Sequence, residues 1–196
     1  MAIVLASASP ARRAILTNAG LVFDSLPADI DERAAEAPLL RSGAGAGDLA
    51  QALAMIKASH VSEKRPADLI IGADQTLEFE GERLTKPVDM AAARRQLFKL
   101  AGKPHRLHSA LACCRAGAVI WQHMESVTLT MRPLTPQEIG RYLAKVGETA
   151  LASVGAYQIE GPGIQLFERI DGDYFAILGL PLLPLLAFLR AQGEVG

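Results

Sequence analysis

The sequence predicts an α/β fold built on a mixed, curved sheet flanked by helices. Three observations carry that expectation. The short apolar run Ile3–Leu5 passes into a helical pattern through a Ser-Ala-Ser-Pro turn. A second apolar run, Leu69–Ala73, lies between helical segments. Turn signals at Glu80-Gly81 and at Gly117 each join two strand-like stretches, so part of the sheet must be antiparallel. The 196 residues suffice for a real core and read as a single domain over 1–196, with no repeat, linker or low-complexity tract.

Each element has a local reason. Ser9 is a good N-cap and Pro10 a good first residue for a helix with Ile15 and Leu16 on its inner side. Residues 21–26 read as a strand, Asp29–Glu32 as an acidic turn, and the Gly- and Ala-rich stretch 41–47 as a mobile loop. Asp48 can cap a helix running to about Ser62, with Leu49, Leu53, Ile56 and His60 on one side. Residues 68–73 form a buried strand ending at Asp74, followed by a hairpin over 77–84. A helix is expected from about Asp89 to Ala101, then a long antiparallel pair over 107–115 and 119–131. Thr135 and Glu138 make a capping box for a short helix. Residues 155–163 are loop with a helical turn, 166–170 and 175–178 are strands, and a final helix starts near Pro181.

Composition narrows the function. Twenty basic residues balance 21 acidic ones, so no basic tail or face speaks for nucleic acid. Any anion site has to come from local clustering. Cys113 and Cys114 are adjacent and project to opposite faces of a strand, so they read as free thiols rather than a disulfide. The N-terminus shows no signal-peptide pattern. The uncharged run from Tyr174 to Leu189 is broken by Pro181 and Pro184 and is shorter than the roughly 20 residues a bilayer needs. A cytoplasmic protein with no membrane partner is expected.

The chemistry gathers in a few places. Arg12 and Arg13 fall in the first turn of the first helix, where free N–H groups and the positive end of the dipole disfavour cations. Hydroxyls of Ser7 and Ser9, backbone N–H groups and guanidinium forks converging there suggest a phosphate site. Asp74 follows a buried strand, with Gly72 and Ala73 leaving room at the backbone. Glu32 closes an acidic cluster, Lys57 lies in an apolar helix, and Lys86 is held extended by Pro87. Singly these are a capping acid, a solvated acid, a snorkelling lysine and a surface lysine. His60, His105, His108 and His123 are scattered and receive no catalytic role.

Together the stretches resemble the Maf family of nucleoside triphosphate pyrophosphatases, also called septum formation inhibitors. The matching segments are LASASPARRAIL at the start, Ile30-Asp31-Glu32, Lys57-Ala58, Gly72–Thr76 (GADQT) and Thr85–Asp89 (TKPVD). Ala101–His105 (AGKPH), Gly155–Gly163 (GAYQIEGPG) and Gly172–Leu182 (GDYFAILGLPL) complete the set, which covers nearly the whole length in the family's order.

The resemblance implies a fold related to the inosine triphosphate pyrophosphatases, with a nucleotide cleft. It implies hydrolysis between the α- and β-phosphates, giving a nucleoside monophosphate and pyrophosphate. Ser7, Ser9, Arg12 and Arg13 would hold the triphosphate, while Lys57 and Lys86 would neutralise developing charge. Glu32 and Asp74 would hold Mg²⁺ or Mn²⁺, and Asp74 would also serve as proton acceptor. Relatives suggest a homodimer. Gln75 and Glu160 look like the branch acting on 7-methyl-GTP and not the one acting on dTTP and UTP, whereas Ala11 departs from both. A carboxylate at 160 can accept from the N1–H and 2-amino group of guanine, whereas the carbonyls of thymine or uracil would be repelled. The alternatives are a dTTP/UTP pyrophosphatase of the same family, a nucleotide-binding regulator of septum formation, or an unrelated phosphatase acting on monophosphates.

Overall fold

The computed structural model describes residues 1–195. Its strands are β1 (Ile3–Leu5), β2 (Asp24–Ser25), β3 (Leu69–Phe79), β4 (Glu82–Leu84), β5 (Pro104–Arg115), β6 (Ala118–Met131) and β7 (Phe167–Asp171). The helices are α1 (Pro10–Asn18), α2 (Glu32–Arg41), α3 (Ala46–Lys64), α4 (Met90–Leu100), α5 (Pro136–Val146), α6 (Tyr174–Ile177) and α7 (Leu182–Ala191). The sheet is mixed and runs β2-β1-β3-β5-β6-β7, with β4 beside β3. β1 is parallel to both β2 and β3, while β3–β4 and β6–β7 are antiparallel.

The chain divides into two compact units. The first comprises residues 1–75, 108–126 and 173–196. Its core follows the two-residue period of strands. Ile3, Leu5, Leu69, Ile71, Leu111 and Cys113 face Ile15 and Leu16 of α1 and Leu182, Leu185 and Leu189 of α7. The alternate residues Val4, Ile70, Ala110, Ala112 and Cys114 face Ala50, Ala54, Ala58 and Val61 of α3. Both cysteines are buried free thiols, and burial raises their pKa values.

The second unit comprises residues 76–107 and 127–172. α4 packs against α5 and the short helical turn Val154–Ala156. An aromatic group of buried His105 and Tyr157 with half-buried Phe167 lies within this unit.

Most expected elements are present, and six expectations are corrected. The strand expected over 21–26 shrinks to Asp24–Ser25. The acidic turn at 29–32 opens helix α2, because the Asp31 carboxylate caps it by accepting the Ala34 N–H at 3.1 Å. That helix runs to Arg41, and α3 already starts at Ala46, so the loop expected over 41–47 is only a short turn. Asp48 is the third residue of α3 rather than its cap, accepting the Gly45 N–H at 3.1 Å. β3 does not end at Asp74 but continues to Phe79, which puts Asp74 inside the strand. The run 175–178 is helical, since the Asp173 side chain accepts the Ala176 N–H at 2.8 Å and starts α6. A four-residue apolar run fits a buried strand or a buried helical turn equally well.

Candidate active site

β1 delivers the chain to a turn that prepares the start of α1. Ser7 Oγ accepts the Ser9 N–H at 3.2 Å, and Ser9 Oγ accepts the Arg12 N–H at 3.4 Å as the N-cap. No acidic residue lies in the first turn of α1. Arg12 folds inward. Its Nε–H donates to Gly179 O at 2.8 Å, and Nη1 donates to Ala73 O at 2.8 Å and to Ser7 Oγ at 3.2 Å. Those bonds use three of the five guanidinium hydrogens. Among the described residues no protein acceptor takes the Nη2 pair. Burial lowers the Arg12 pKa, and the charges of Asp74 and Glu32 oppose that shift. Arg13 is exposed, so the neighbouring guanidiniums part, one inward and one to solvent.

On the other face of β3, helix α3 packs against the strand backbone. A Cβ added to Gly72 would fall 2.2 Å from Ala54 O and 2.7 Å from Ala58 N, so only glycine permits this approach. It brings Lys57 to Asp74, which lies two residues beyond Gly72 on the strand and so on the same face. Lys57 Nζ donates to Asp74 Oδ1 at 2.6 Å and pairs with Glu32 Oε1 at 2.7 Å. Glu32 arrives as the first residue of α2, placed by the Asp31 cap.

The Lys57 and Asp74 side chains are each 11% exposed, whereas Glu32 is 51% exposed. Burial raises the Asp74 pKa above the usual carboxylate value. Lys57 and Arg12 pull it back, and Glu32 raises it further. Desolvation is the largest of these influences. A carboxylate with this tendency is a candidate proton acceptor.

Gln75 points away from that cluster. Its Nε2 donates to Ser109 Oγ at 2.8 Å, Ala176 O at 3.1 Å and Ile177 O at 2.9 Å.

Lys86 and Glu160 belong to the second unit. Lys86 is exposed between β4 and α4, in a segment where Thr85 O accepts from Gln96 Nε2 at 2.6 Å and Asp89 caps α4. Glu160 is exposed in the turn between two short 3₁₀ segments. At the end of the 3₁₀ segment before that turn, Ala156 has a left-handed φ of 62°. Its carbonyl accepts from Tyr142 Oη at 3.3 Å, and His105 Nε2 lies 2.7 Å from Tyr157 Oη. The Tyr142 pKa is pushed up to about 12, mainly by burial, with the nearby Glu160 charge adding to the rise.

The sequence profile of the Maf-like protein family matches residues 2–192. This chain belongs to the Maf family. It is 59% identical over 190 residues to a 7-methyl-GTP pyrophosphatase of Brucella abortus biovar 1, covering 97% of this chain and 96% of the relative. The 7-methyl-GTP pyrophosphatase of Mesorhizobium japonicum is 58% identical over 98% of this chain and 97% of its own. A nucleoside triphosphate pyrophosphatase of Rhodopseudomonas palustris is 55% identical over 97% and 93%.

In this Maf chain the first unit thus gathers Ser7, Ser9, Arg12, Glu32, Lys57 and Asp74. Among the described residues no three His, Cys, Asp or Glu side chains form a metal-ligand cluster. Two carboxylates whose oxygens meet at one ammonium are nevertheless a fitting donor set for a hard cation that takes its other ligands from water and phosphate. Among the described residues no helix is long and apolar enough to cross a membrane. Three contributors escaped the sequence reading: Ser109, Gly179 and the Ala73 carbonyl. Only the positive φ of Gly179 has a sequence signal, the Gly-Leu-Pro turn.

Proposed function

We propose that this Maf chain hydrolyses nucleoside triphosphates between the α- and β-phosphates, releasing a nucleoside monophosphate and pyrophosphate, with preference for 7-methyl-GTP or a related guanine nucleotide. The observation that carries the reading is the close set Lys57, Asp74 and Glu32, with a buried aspartate whose pKa is raised. The names of relatives 53–60% identical over nearly the whole chain support the reaction and the preferred base.

In this reading the Arg12 Nη2 hydrogens, the Ser7 and Ser9 hydroxyls and the first N–H groups of α1 bind the phosphates. Arg13, exposed beside them, adds long-range attraction. Asp74 takes a proton from the attacking water as its oxygen bonds to the α-phosphorus. The bond from that phosphorus to the bridging oxygen breaks, and pyrophosphate leaves with the electron pair. Lys57 holds Asp74 in place and offsets charge on the transferred phosphoryl group, and Lys86 does the same for the leaving pyrophosphate. Glu32 and Asp74 would hold Mg²⁺ or Mn²⁺, which when bound screens the phosphate charge and acidifies water. Glu160 accepts from the donor edge of guanine. A homodimer in a reducing cytoplasm completes the proposal, supported by the family resemblance and by the two buried free thiols.

The test is a panel of 7-methyl-GTP, GTP, dTTP and UTP with Mg²⁺ or Mn²⁺, read as pyrophosphate release. Stoichiometric monophosphate and pyrophosphate, fastest from 7-methyl-GTP, is the expected result. Nucleotide binding without release would favour a binding regulator. Faster turnover of dTTP or UTP would remove the guanine preference alone.

A further inference from the structure

We propose that the buried hydrogen bond between Tyr157 and His105 positions the Glu160 turn, so that these two side chains govern base preference without touching the nucleotide. The proposal rests on the reading of Glu160 as the acceptor for guanine.

Glu160 is exposed, but the backbone on either side of it is clamped. Before it, Gly155 and Ala156 both take left-handed φ values, 78° and 62°. A Cβ at Gly155 would stand 2.5 Å from Tyr157 Cε1, so the tyrosine ring folds back over the glycine. Ala156 O accepts from Tyr142 Oη at 3.3 Å, and the same hydroxyl is hydrogen-bonded by the Gln158 backbone. After Glu160, a Cβ at Gly163 would fall 2.4 Å from Gln158 O, so only glycine closes the loop onto that residue. The Gly161 N–H donates to Gln158 O at 3.4 Å across the turn.

The clamp is anchored at Tyr157, three residues before Glu160. Tyr157 is 4% exposed and His105 2%. Tyr157 Oη and His105 Nε2 share a hydrogen bond at 2.7 Å. The Tyr157 ring also stands edge-on to Phe167, with centroids 4.8 Å apart. His105 lies near the start of β5 and Phe167 opens β7, so two strands grip one ring. The apolar contacts hold the ring, and the hydroxyl bond fixes its depth, because a buried hydroxyl must keep its partner. A turn fixed in this way presents the Glu160 carboxylate with little ordering left to do on binding. Loosening it should weaken affinity for the base that uses the carboxylate and leave the chemistry alone.

The experiment uses Tyr157→Phe, which keeps the ring and removes the hydroxyl. KM and kcat are measured for 7-methyl-GTP, GTP, dTTP and UTP. KM for the two guanine nucleotides should rise about fivefold with kcat kept, while KM for dTTP and UTP should change less than twofold. In a Glu160→Gln background the same substitution should change the preference less than twofold, a coupling that general destabilisation would not produce. Amide hydrogens of residues 158–161 should exchange with solvent faster in Tyr157→Phe, a readout that needs neither turnover nor ligand. His105→Gln, whose amide can still bond the hydroxyl, should keep more of the guanine preference than His105→Leu, and this pair serves if Tyr157→Phe does not fold. Unchanged amide exchange would overturn the proposal, as would an equal loss for all four nucleotides. So would a preference that falls in Glu160→Gln but not in Tyr157→Phe. If Glu160→Gln itself leaves the preference intact while Tyr157→Phe still speeds exchange, the base contact of Glu160 fails and the holding of its turn stands.

Discussion

Lys57 Nζ stands 2.6 Å from Asp74 Oδ1, yet burial still raises the Asp74 pKa. An exposed pair at that distance would hold the aspartate firmly ionised. Here desolvation exceeds the attraction, so the carboxylate is paired but remains a willing proton acceptor.

That pairing depends on the approach of α3 to β3 at Gly72. Gly72→Ala forces a methyl group within 3 Å of the Ala54 and Ala58 backbone. Overpacking of this kind costs roughly 1–3 kcal/mol, and the helix must move. Unfolding in urea should show that loss, and turnover should fall because Lys57 leaves Asp74. Unchanged stability and turnover would show that the close approach does not set the site.

Arg12→Ala removes the inward guanidinium. Loss of a charge-assisted phosphate contact is worth about 1.5–3 kcal/mol, so affinity for every nucleoside triphosphate should drop by roughly 10–100-fold. The factor should be common to all bases, because phosphates carry no base identity. Altered base ranking with intact triphosphate affinity would contradict the assignment.

How much of this was readable from the chain depended on the range of the interaction. The Ser9 cap, Pro10 and the Thr135–Glu138 box lie within a few residues of what they bond, so local pattern sufficed. The meeting of Glu32, Lys57 and Asp74 needed the packing of α2 and α3, which no spacing encodes; the family resemblance alone linked them. Gln75 lies 101 and 102 residues from Ala176 and Ile177, so its engagement there was invisible. The apolar run ends at Ala73, so local pattern puts Asp74 at a strand end, although the ladder continues to Phe79.

In the second unit, the His105 pKa is lowered to about 4, first by burial and against a backbone hydrogen bond to Lys103. The unfolded chain takes up this proton near the usual histidine pKa of about 6.5, before the native state does. The stability from burying neutral His105 is therefore full above that pH. It declines as pH falls toward about 4, by a sum on the order of 3 kcal/mol. Denaturant midpoints measured from pH 7 to 4 should show the decline, and His105→Gln should flatten it. An equal slope in wild type and variant would remove His105 as the cause.

Glu160→Gln should reduce the preference for 7-methyl-GTP and GTP over dTTP and UTP by roughly 1.5–3 kcal/mol, the scale of a hydrogen bond to a charged group. Activity on dTTP or UTP should fall less, or rise. Competition assays on wild type and variant read this directly, and an unchanged preference would mean that Glu160 does not face the base.

The most direct measurement is product analysis with 7-methyl-GTP in ¹⁸O-labelled water, comparing wild type with Asp74→Asn. Wild type should yield monophosphate and pyrophosphate in equal amounts, with the label in the monophosphate, as attack at the α-phosphorus requires. Asp74→Asn should remain folded and lose at least about a hundredfold in turnover, the usual contribution of a general base. Orthophosphate and diphosphate as products, label in the pyrophosphate, or near-normal turnover in the variant would contradict hydrolysis of the α–β bond by the Asp74 site.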